Sequence, residues 1–432
     1  MDQPVNVFWF RRDLRLTDNR GLFEALNADS PVLLLFVFDQ TILHKLPNKN
    51  DARLSFIHGL LKEINVQLEP YEASLCVLHT TPLQAFQTLL KEYEIESVYT
   101  NNDYEPYAIK RDQEVRNLLS EAGVGFESFK DQVIFEQNEI VKDDGNPYTV
   151  YTPYSKKWLA NLNKNSFKEW KSQELLSQVL QMDFTMPSLE EMGFESSDID
   201  VEDFSTKQEL VANYEDRRNT PSVAGTTKLS PHFRFGSISV REACRRLDGK
   251  SLTLLKEFIW REFFMQILWH FPQVVNQSFK SKYNRIPWIN DEKEFEKWKF
   301  GNTGIPLVDA GMRELIHTGF MHNRVRMVVA SFLVKNLLID WRWGEAWFAE
   351  HLLDFDLAQN NGNWQWAAGT GCDAAPYFRV FNPISQQEKF DPQFEYIKKW
   401  IPEWGSGKYP QPMVDLKETR ARAIETYRNA IQ

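Results

Sequence analysis

The densest run of chemically capable side chains lies between Asp340 and Pro383 and reads DWRWGEAWFAEHLLDFDLAQNNGNWQWAAGTGCDAAPYFRVFNP. Tryptophan rings can stack near the faces of a flat heteroaromatic ligand, while carboxylates and amides hydrogen-bond its edge. Asp354 and Asp356 precede Asn360-Asn361-Gly362, and Trp364 and Trp366 follow it. Asn-Asn-Gly is a poor continuation for a helix, and Gly369, Gly371 and Pro376 extend the irregularity. The spacing therefore predicts aromatic residues in non-helical backbone beside carboxylates. Core packing explains that arrangement poorly; a cofactor site explains it well.

The elements that must position this segment change character along the chain. In the first 130 residues, short apolar runs alternate with amphipathic stretches. Val5–Phe10, Val32–Phe38, Leu75–His79 and Ser97–Thr100 are predicted strands, with helices over Gly21–Leu26, Asp51–Leu68, Pro82–Tyr93 and Pro106–Gly123. This rhythm predicts an α/β domain, a doubly wound, Rossmann-like parallel sheet over residues 1–130. Neither GxGxxG nor a P-loop follows any of these strands, so the standard dinucleotide fingerprint is missing. Residues 131–204 are polar and irregular and read as an interdomain linker. From 205 to 432 long helical patterns take over, at Ser251–Phe271, Gly304–Ile316, Asn323–Ile339 and Gly344–Leu353, predicting an all-α domain.

Composition narrows the function classes. Of 432 residues, 42% are hydrophobic and 25% charged, an ordinary globular balance. Aromatics reach 14%, which serves either a well-filled core or stacking surfaces, and composition alone favours the core. Cys76, Cys244 and Cys372 show no CxxC spacing and define neither a disulfide framework nor a metal site. The opening MDQPVNVFWFRRD lacks the apolar run of a signal peptide, and no stretch reaches the roughly 20 apolar residues of a membrane span. A cytoplasmic protein without membrane association is expected. The net charge of −10 is unevenly spread: residues 1–204 carry 19 basic and 34 acidic side chains, residues 205–432 carry 31 and 26. A polyanion would therefore meet the C-terminal half.

With these motifs in order, the chain resembles the DNA photolyases and cryptochromes. The resemblance spans essentially its whole length, from Phe8-Trp9-Phe10-Arg11-Arg12-Asp13-Leu14-Arg15 to the stretch Glu257–Pro383. It implies an α/β antenna domain followed by a helical domain that holds FAD in a U-shaped conformation. Met321-His322-Asn323-Arg324-Val325-Arg326-Met327 points to repair of cyclobutane pyrimidine dimers, because six-four photolyases carry a second histidine where Asn323 stands. Asn323 can hydrogen-bond the flavin or a dimer carbonyl, and Met327, one helical turn on, can pack softly against the lesion.

The resemblance also implies a role for each candidate residue. Glu257 meets the pyrimidine edge, and Trp260 and Trp366 form the walls of a pocket for a flipped-out dimer. Trp364, Trp341 and Trp288 form an electron path from flavin to surface. Tyr214 and the run Thr226-Thr227-Lys228-Leu229-Ser230 lie on the flavin phosphate side, where hydroxyls, N–H groups and a cation suit a pyrophosphate. Arg326 pairs with Asp354 beside the isoalloxazine, Asp356 binds its polar edge and Asn360 stands beside N5. Arg218, Arg261, Arg324 and Arg379 face DNA phosphates, with Arg261 also counted on the cofactor side. The loop Phe381–Gln386 adds further DNA contacts.

Two features depart from the family pattern. Leu254 and Phe320 replace tryptophans found in some bacterial photolyases, an apolar exchange expected to alter packing only. Asn101-Asn102-Asp103-Tyr104-Glu105-Pro106-Tyr107 lacks the Asn-Glu pair of folate-binding photolyases, which leaves a deazaflavin, a folate or no second antenna chromophore open. The implied activity is light-driven: an electron passes from FADH⁻ to the dimer, the cyclobutane ring splits, and the electron returns. The implied partner is dimer-containing DNA, double- or single-stranded, and the protein is expected to be a monomer. The principal alternative is a cryptochrome, a signalling photoreceptor built on the same flavin; Asn360, the His322–Arg324 motif with Met327, and a sequence ending at Gln432 without a long tail count against it. A flavin-dependent dark DNA-binding protein is a third reading that explains fewer residues.

Overall fold

The computed structural model describes residues 3–432. Its chain forms two compact units that interleave in sequence. The first comprises residues up to Glu139 together with Leu159–Phe204 and Lys228–Asp248; the second comprises Ile140–Trp158, Ser205–Thr227 and Gly249–Gln432. The compact units are therefore not the consecutive spans 1–130, 131–204 and 205–432. The stretch expected as a linker contributes Leu176, Val179, Leu189, Met192 and Phe194 to the buried core of the first unit, and burial of those side chains is what ties it down.

In the first unit, β1 (Val5–Phe10), β2 (Val32–Asp39), β3 (Cys76–Thr80), β4 (Ile95–Asn101) and β5 (Gly125–Phe129) form one parallel sheet in the order β3-β2-β1-β4-β5. Between the strands run α1 (Arg20–Leu26), α2 (Gln40–Leu43), α3 (Ala52–Leu68), α4 (Pro82–Glu92) and α5 (Pro106–Glu121). Alternation along the strands feeds two cores. Phe8, Phe10, Leu34 and Phe36 enter one, and Val7, Trp9, Leu33 and Leu35 the other. Both faces are thus buried, as a doubly wound sheet requires. β5 was not predicted; its residues are partly exposed at the sheet edge and carry little apolar signal.

The same unit also takes in α9 (Leu229–Phe235) and α10 (Val240–Leu247). α10 is held through a buried ionic network. Arg15 and Arg241 both reach Asp131, at 2.5 and 2.7 Å, and Arg241 also pairs with Asp18 at 3.0 Å. Such a network is costly to break because each remaining partner would be an uncompensated buried charge.

The second unit is helical apart from an isolated bridge between Val141 and Pro147. It holds most of α6 (Tyr151–Asn161), then α7 (Gln208–Ala212), α8 (Tyr214–Arg217), α11 (Leu252–His270), α12 (Glu292–Lys299), α13 (Pro306–Thr318), α14 (Asn323–Ser331), α15 (Trp341–His351), α16 (Leu357–Ala368), α17 (Pro383–Phe390), α18 (Glu395–Trp400) and α19 (Leu416–Ile431). α14 runs into a π-helical turn at Phe332–Asn336, so the single helix expected to Ile339 ends early. Among the described residues, no helix is long and apolar enough to cross a membrane, and no His/Cys/Asp/Glu group is placed to hold a metal ion.

One local expectation is overturned. Asn360-Asn361-Gly362 does not interrupt a helix; α16 runs straight through it, so Trp364 and Trp366 are helical residues. The reason is tertiary. A Cβ built on Gly362 would lie 2.1 Å from the ring of Phe264 on α11, so glycine is what lets the two helices approach. Asn361 adds a hydrogen bond from Nδ2 to the Val274 carbonyl at 3.0 Å. Packing here outweighs the weak intrinsic propensity.

Candidate active site

α11, α14, α16 and the irregular segment after α16 carry most of the expected site residues of the second unit. α11 presents Glu257 and Trp260 one turn apart, both half-buried. Glu257 is ion-paired with Arg218, which follows α8. Arg218 also lies over the ring of Tyr214, 5.5 Å from its centroid. Burial, and then the nearby charge of Glu257, push the Tyr214 phenol up to about 12, so it serves as a neutral donor.

α14 starts at the His322 cap, whose ring nitrogen accepts from the Arg324 N–H at 3.2 Å. This fixes Asn323 in the first turn, exposed, with Met327 a turn later. Arg324 reaches Asn219 Oδ1 at 2.7 Å and the Met327 sulfur at 3.7 Å, and it covers the Phe390 ring at 4.3 Å. Its charged form is disfavoured first by burial and then by repulsion from Arg218 and Arg379. Arg218, Arg324 and Arg379 therefore share one neighbourhood, an arrangement that calls for an anion. Arg379 lies over Phe381 at 5.3 Å, and Phe381 in turn stacks on Trp366 at 6.3 Å. Arg261 sits half-buried on α11, its carbonyl accepting from Gln359 Nε2 at 3.0 Å.

The expected pairing of Arg326 with Asp354 is present: one guanidinium nitrogen meets both carboxylate oxygens at 3.1 and 2.9 Å. Asn360 Nδ2 donates to the Glu345 backbone carbonyl and to its Oε1, both at 3.0 Å. With the NH₂ committed to two acceptors, Oδ1 is the atom with capacity left for a ligand N–H. Asp356 is buried at the start of α16. This donor set fits the polar edge of a flavin: an acceptor amide on α16, a guanidinium on α14 and two carboxylates in the segment that leads from α15 to α16.

Trp341 and Trp364 are buried in one hydrophobic cluster, with the partly buried Trp288 packed against it. The ring contacts of Trp364 are to Trp298 at 6.2 Å and Phe348 at 5.0 Å, while Trp288 meets Tyr427 at 5.9 Å. The phosphate-side run divides between the units. Tyr214, Thr226 and Thr227 belong to the second, whereas Lys228, Leu229 and Ser230 belong to the first, where Lys228 Nζ lies 3.2 Å from Glu202. Leu254 is buried in α11, and Phe320 lies under Arg326 at 5.7 Å. The antenna segment Asn101–Tyr107 leads from β4 into α5, and Arg12 reaches Asp103 at 3.7 Å and Glu105 at 3.0 Å.

Two participants escaped sequence reasoning. Glu345 orients Asn360, and Tyr151 lies flat on Trp260 with ring centroids 3.6 Å apart. Neither belongs to a recognisable spacing.

Residues 6–173 match the family described as DNA photolyase, and residues 254–407 match the FAD binding domain of DNA photolyase. The deoxyribodipyrimidine photo-lyase of Halobacterium salinarum is 36% identical, over 99% of this chain and 99% of its own. The chain belongs to the DNA photolyase family. Among solved structures, a class III photolyase from Agrobacterium tumefaciens superposes with a TM-score of 0.88 at 31% identity, covering 100% of this chain and 98% of the other. A Synechocystis cryptochrome gives 0.84 at 25% identity, covering 98% and 99%. Photolyase membership accounts for the architecture found here, a parallel-sheet unit and a helical unit with an FAD-binding domain, and FAD is its cofactor.

Proposed function

We propose that this photolyase-family protein repairs cyclobutane pyrimidine dimers in DNA under blue light. The observation that carries this reading is a series of contacts and charge interactions in the second unit. Trp260 stacks on Tyr151, Tyr151 feels the charge of Glu257, Glu257 pairs with Arg218, and Arg324 feels the charges of Arg218 and Arg379. From Arg379 the series continues through Phe381 to Trp366. Two aromatic walls thus flank a group of guanidinium side chains, which suits a pair of adjacent, covalently joined pyrimidines flipped out from one phosphate backbone.

Reduced FAD, when bound, supplies the light-driven electron that opens the cyclobutane ring and takes it back afterwards. The residues do the rest. Arg218, Arg324 and Arg379 hold backbone phosphates. Trp260 and Trp366 replace the stacking that the flipped pyrimidines lose. Glu257 and Asn323 hydrogen-bond the polar edges of the dimer, and Met327 fills the apolar side. Asn360 accepts from a ring N–H through the oxygen that Glu345 leaves uncommitted. Asp354 with Arg326, and Asp356, hold the cofactor's edge, with Tyr214, Thr226 and Thr227 of the same unit on its phosphate side. Trp364, Trp341 and Trp288 would relay an electron from an external reductant at the surface towards bound FAD.

The test is illumination of the reduced protein with an ultraviolet-damaged oligonucleotide. Loss of cyclobutane dimers under blue light is expected; dimers persisting under light would sink the enzyme reading. The likeness to the Synechocystis cryptochrome favours the signalling reading instead, in which light changes affinity for a protein partner and leaves dimers intact. For the first unit the alternatives are a deazaflavin, a folate or no second chromophore, and the absorption spectrum of chromophores released on denaturation decides among them.

A further inference from the structure

Trp260, taken above as a wall of the lesion pocket, does not stand alone. The Tyr151 ring lies parallel to it, with an interplanar angle of 4° and centroids 3.6 Å apart. That separation is a closed aromatic stack, with no room for a base between the two rings. Phe263, fully buried, meets both edge-on: Tyr151 at 5.9 Å and 81°, Trp260 at 5.6 Å and 83°. The parallel pair is therefore seated against a common buried ring.

Tyr151 is itself tied down at both ends. Its phenol donates to the Lys256 carbonyl at 3.0 Å, one turn before Trp260 on α11. Its backbone N–H donates to Asp373 Oδ2 at 3.0 Å, in the irregular segment that leads to Arg379. Burial, and then the charge of Glu257, push the phenol above its ordinary range, so the hydroxyl stays a donor. A ring held through its phenol and an edge contact, on a backbone anchored by a further hydrogen bond, is a fixed surface, not a mobile cover.

We propose that Tyr151 is a positioning residue for dimer recognition: it holds the indole plane of Trp260 in place before DNA binds, so that a flipped pyrimidine stacks on an already ordered wall. The proposal rests on the dimer-repair reading of this pocket. Its physical content is pre-organisation. A tryptophan stacked on Tyr151, met edge-on by Phe263 and packed near-parallel to Phe264 at 5.6 Å and 28° has lost its rotamer freedom in folding, so that loss is not charged to lesion binding. A lone half-buried tryptophan would have to be ordered by the lesion itself.

The test compares the FAD-loaded full chain with Tyr151→Leu, Tyr151→Phe and Trp260→Ala, measuring Kd for one oligonucleotide with and without a single thymine dimer. Tyr151→Leu keeps apolar bulk but not the flat ring; Tyr151→Ala is the second variant should leucine perturb folding, with bound FAD absorbance reporting the folded state. The expected result is a loss of about tenfold in the damaged-over-intact affinity ratio for Trp260→Ala, the scale of one lost base–aromatic stack. Tyr151→Leu loses a comparable factor, and Tyr151→Phe restores most of it. An unchanged ratio in Tyr151→Leu alongside a fall in Trp260→Ala overturns the role of Tyr151 alone. A raised ratio in Tyr151→Leu overturns it differently, by showing that tyrosine occupies the seat of the lesion. An unchanged ratio in Trp260→Ala removes the pocket reading and the role of Tyr151 with it.

Discussion

The guanidinium of Arg218 is ion-paired with the carboxylate of Glu257. A residue proposed to hold DNA phosphate and a residue proposed to meet the pyrimidine edge thus share one interaction. A phosphate arriving at Arg218 competes with Glu257 for the same N–H groups, so docking of the backbone releases a carboxylate oxygen to the flipped base. Arg218→Ala should weaken binding to damaged and intact DNA alike and reduce the slope of log K against log salt by about 0.9. Fluorescence anisotropy across a salt series reads that slope. An unaltered slope would show that Arg218 makes no phosphate contact.

Glu345 gives a pH-dependent prediction. Burial holds its carboxyl above the ordinary value of 4.5, against the opposing hydrogen bond from Asn360. An acid whose folded pKa is raised contributes stability that is fully present below its unfolded pKa and lost as pH rises through the folded value. Glu345→Gln keeps an oxygen for Asn360 and removes the titration. As pH rises above the ordinary carboxyl value of 4.5, the Tm of the wild type should therefore fall relative to that of Glu345→Gln. Parallel Tm curves for the two proteins would count against a buried carboxyl at this position.

Asp131 behaves in the opposite sense. Burial alone would raise its carboxyl, but Arg15 and Arg241 prevail and hold it well below the ordinary value of 3.8. Its contribution is present above that value and lost as pH falls. Asp131→Asn leaves two buried guanidinium groups short of their shared anion and should cost about 3–5 kcal/mol. Urea unfolding of the two proteins at neutral pH measures the difference. A loss below about 1 kcal/mol would mean that water reaches the network and screens it.

What was legible in the sequence follows from how each signal arises. The predicted strands at Val5–Phe10 and Val32–Phe38 are almost wholly apolar because both faces of the sheet are buried, and burial is written in composition. β5 escaped because an edge strand reading Gly-Phe-Glu-Ser-Phe buries little. The Arg326–Asp354 pair was reached through motif order, and its geometry is present. Tyr151 and Glu345 were not reached. Each acts on a partner distant in sequence or on another helix, and the letters of a tyrosine-rich helix start do not say which ring will lie on Trp260. The interleaving of the two units was equally hidden, since polar text such as 159–204 packs through a few well-spaced apolar residues.

Gly362 is where local propensity and tertiary packing disagree most openly, and it yields a sharp prediction. In an exposed helix interior, glycine to alanine stabilises by about 1 kcal/mol. Here the added Cβ would sit 2.1 Å from Phe264 Cδ1 and 2.5 Å from Cε1, both on the ring of a buried residue of α11. The ring cannot yield easily, so α16 must shift away from α11. That shift would carry Asn360, Trp364 and Trp366 with it, because all three ride on α16. Gly362→Ala should therefore destabilise by about 1–3 kcal/mol, the usual scale of overpacking. It should also lower the FAD retained on purification, whereas Gly59→Ala, at a helical glycine with nothing within 4 Å of its Cβ, should not. Calorimetry and the ratio of flavin to protein absorbance check both effects. A Gly362→Ala protein as stable and as flavin-loaded as the wild type would show that the α11–α16 contact is looser than its geometry implies.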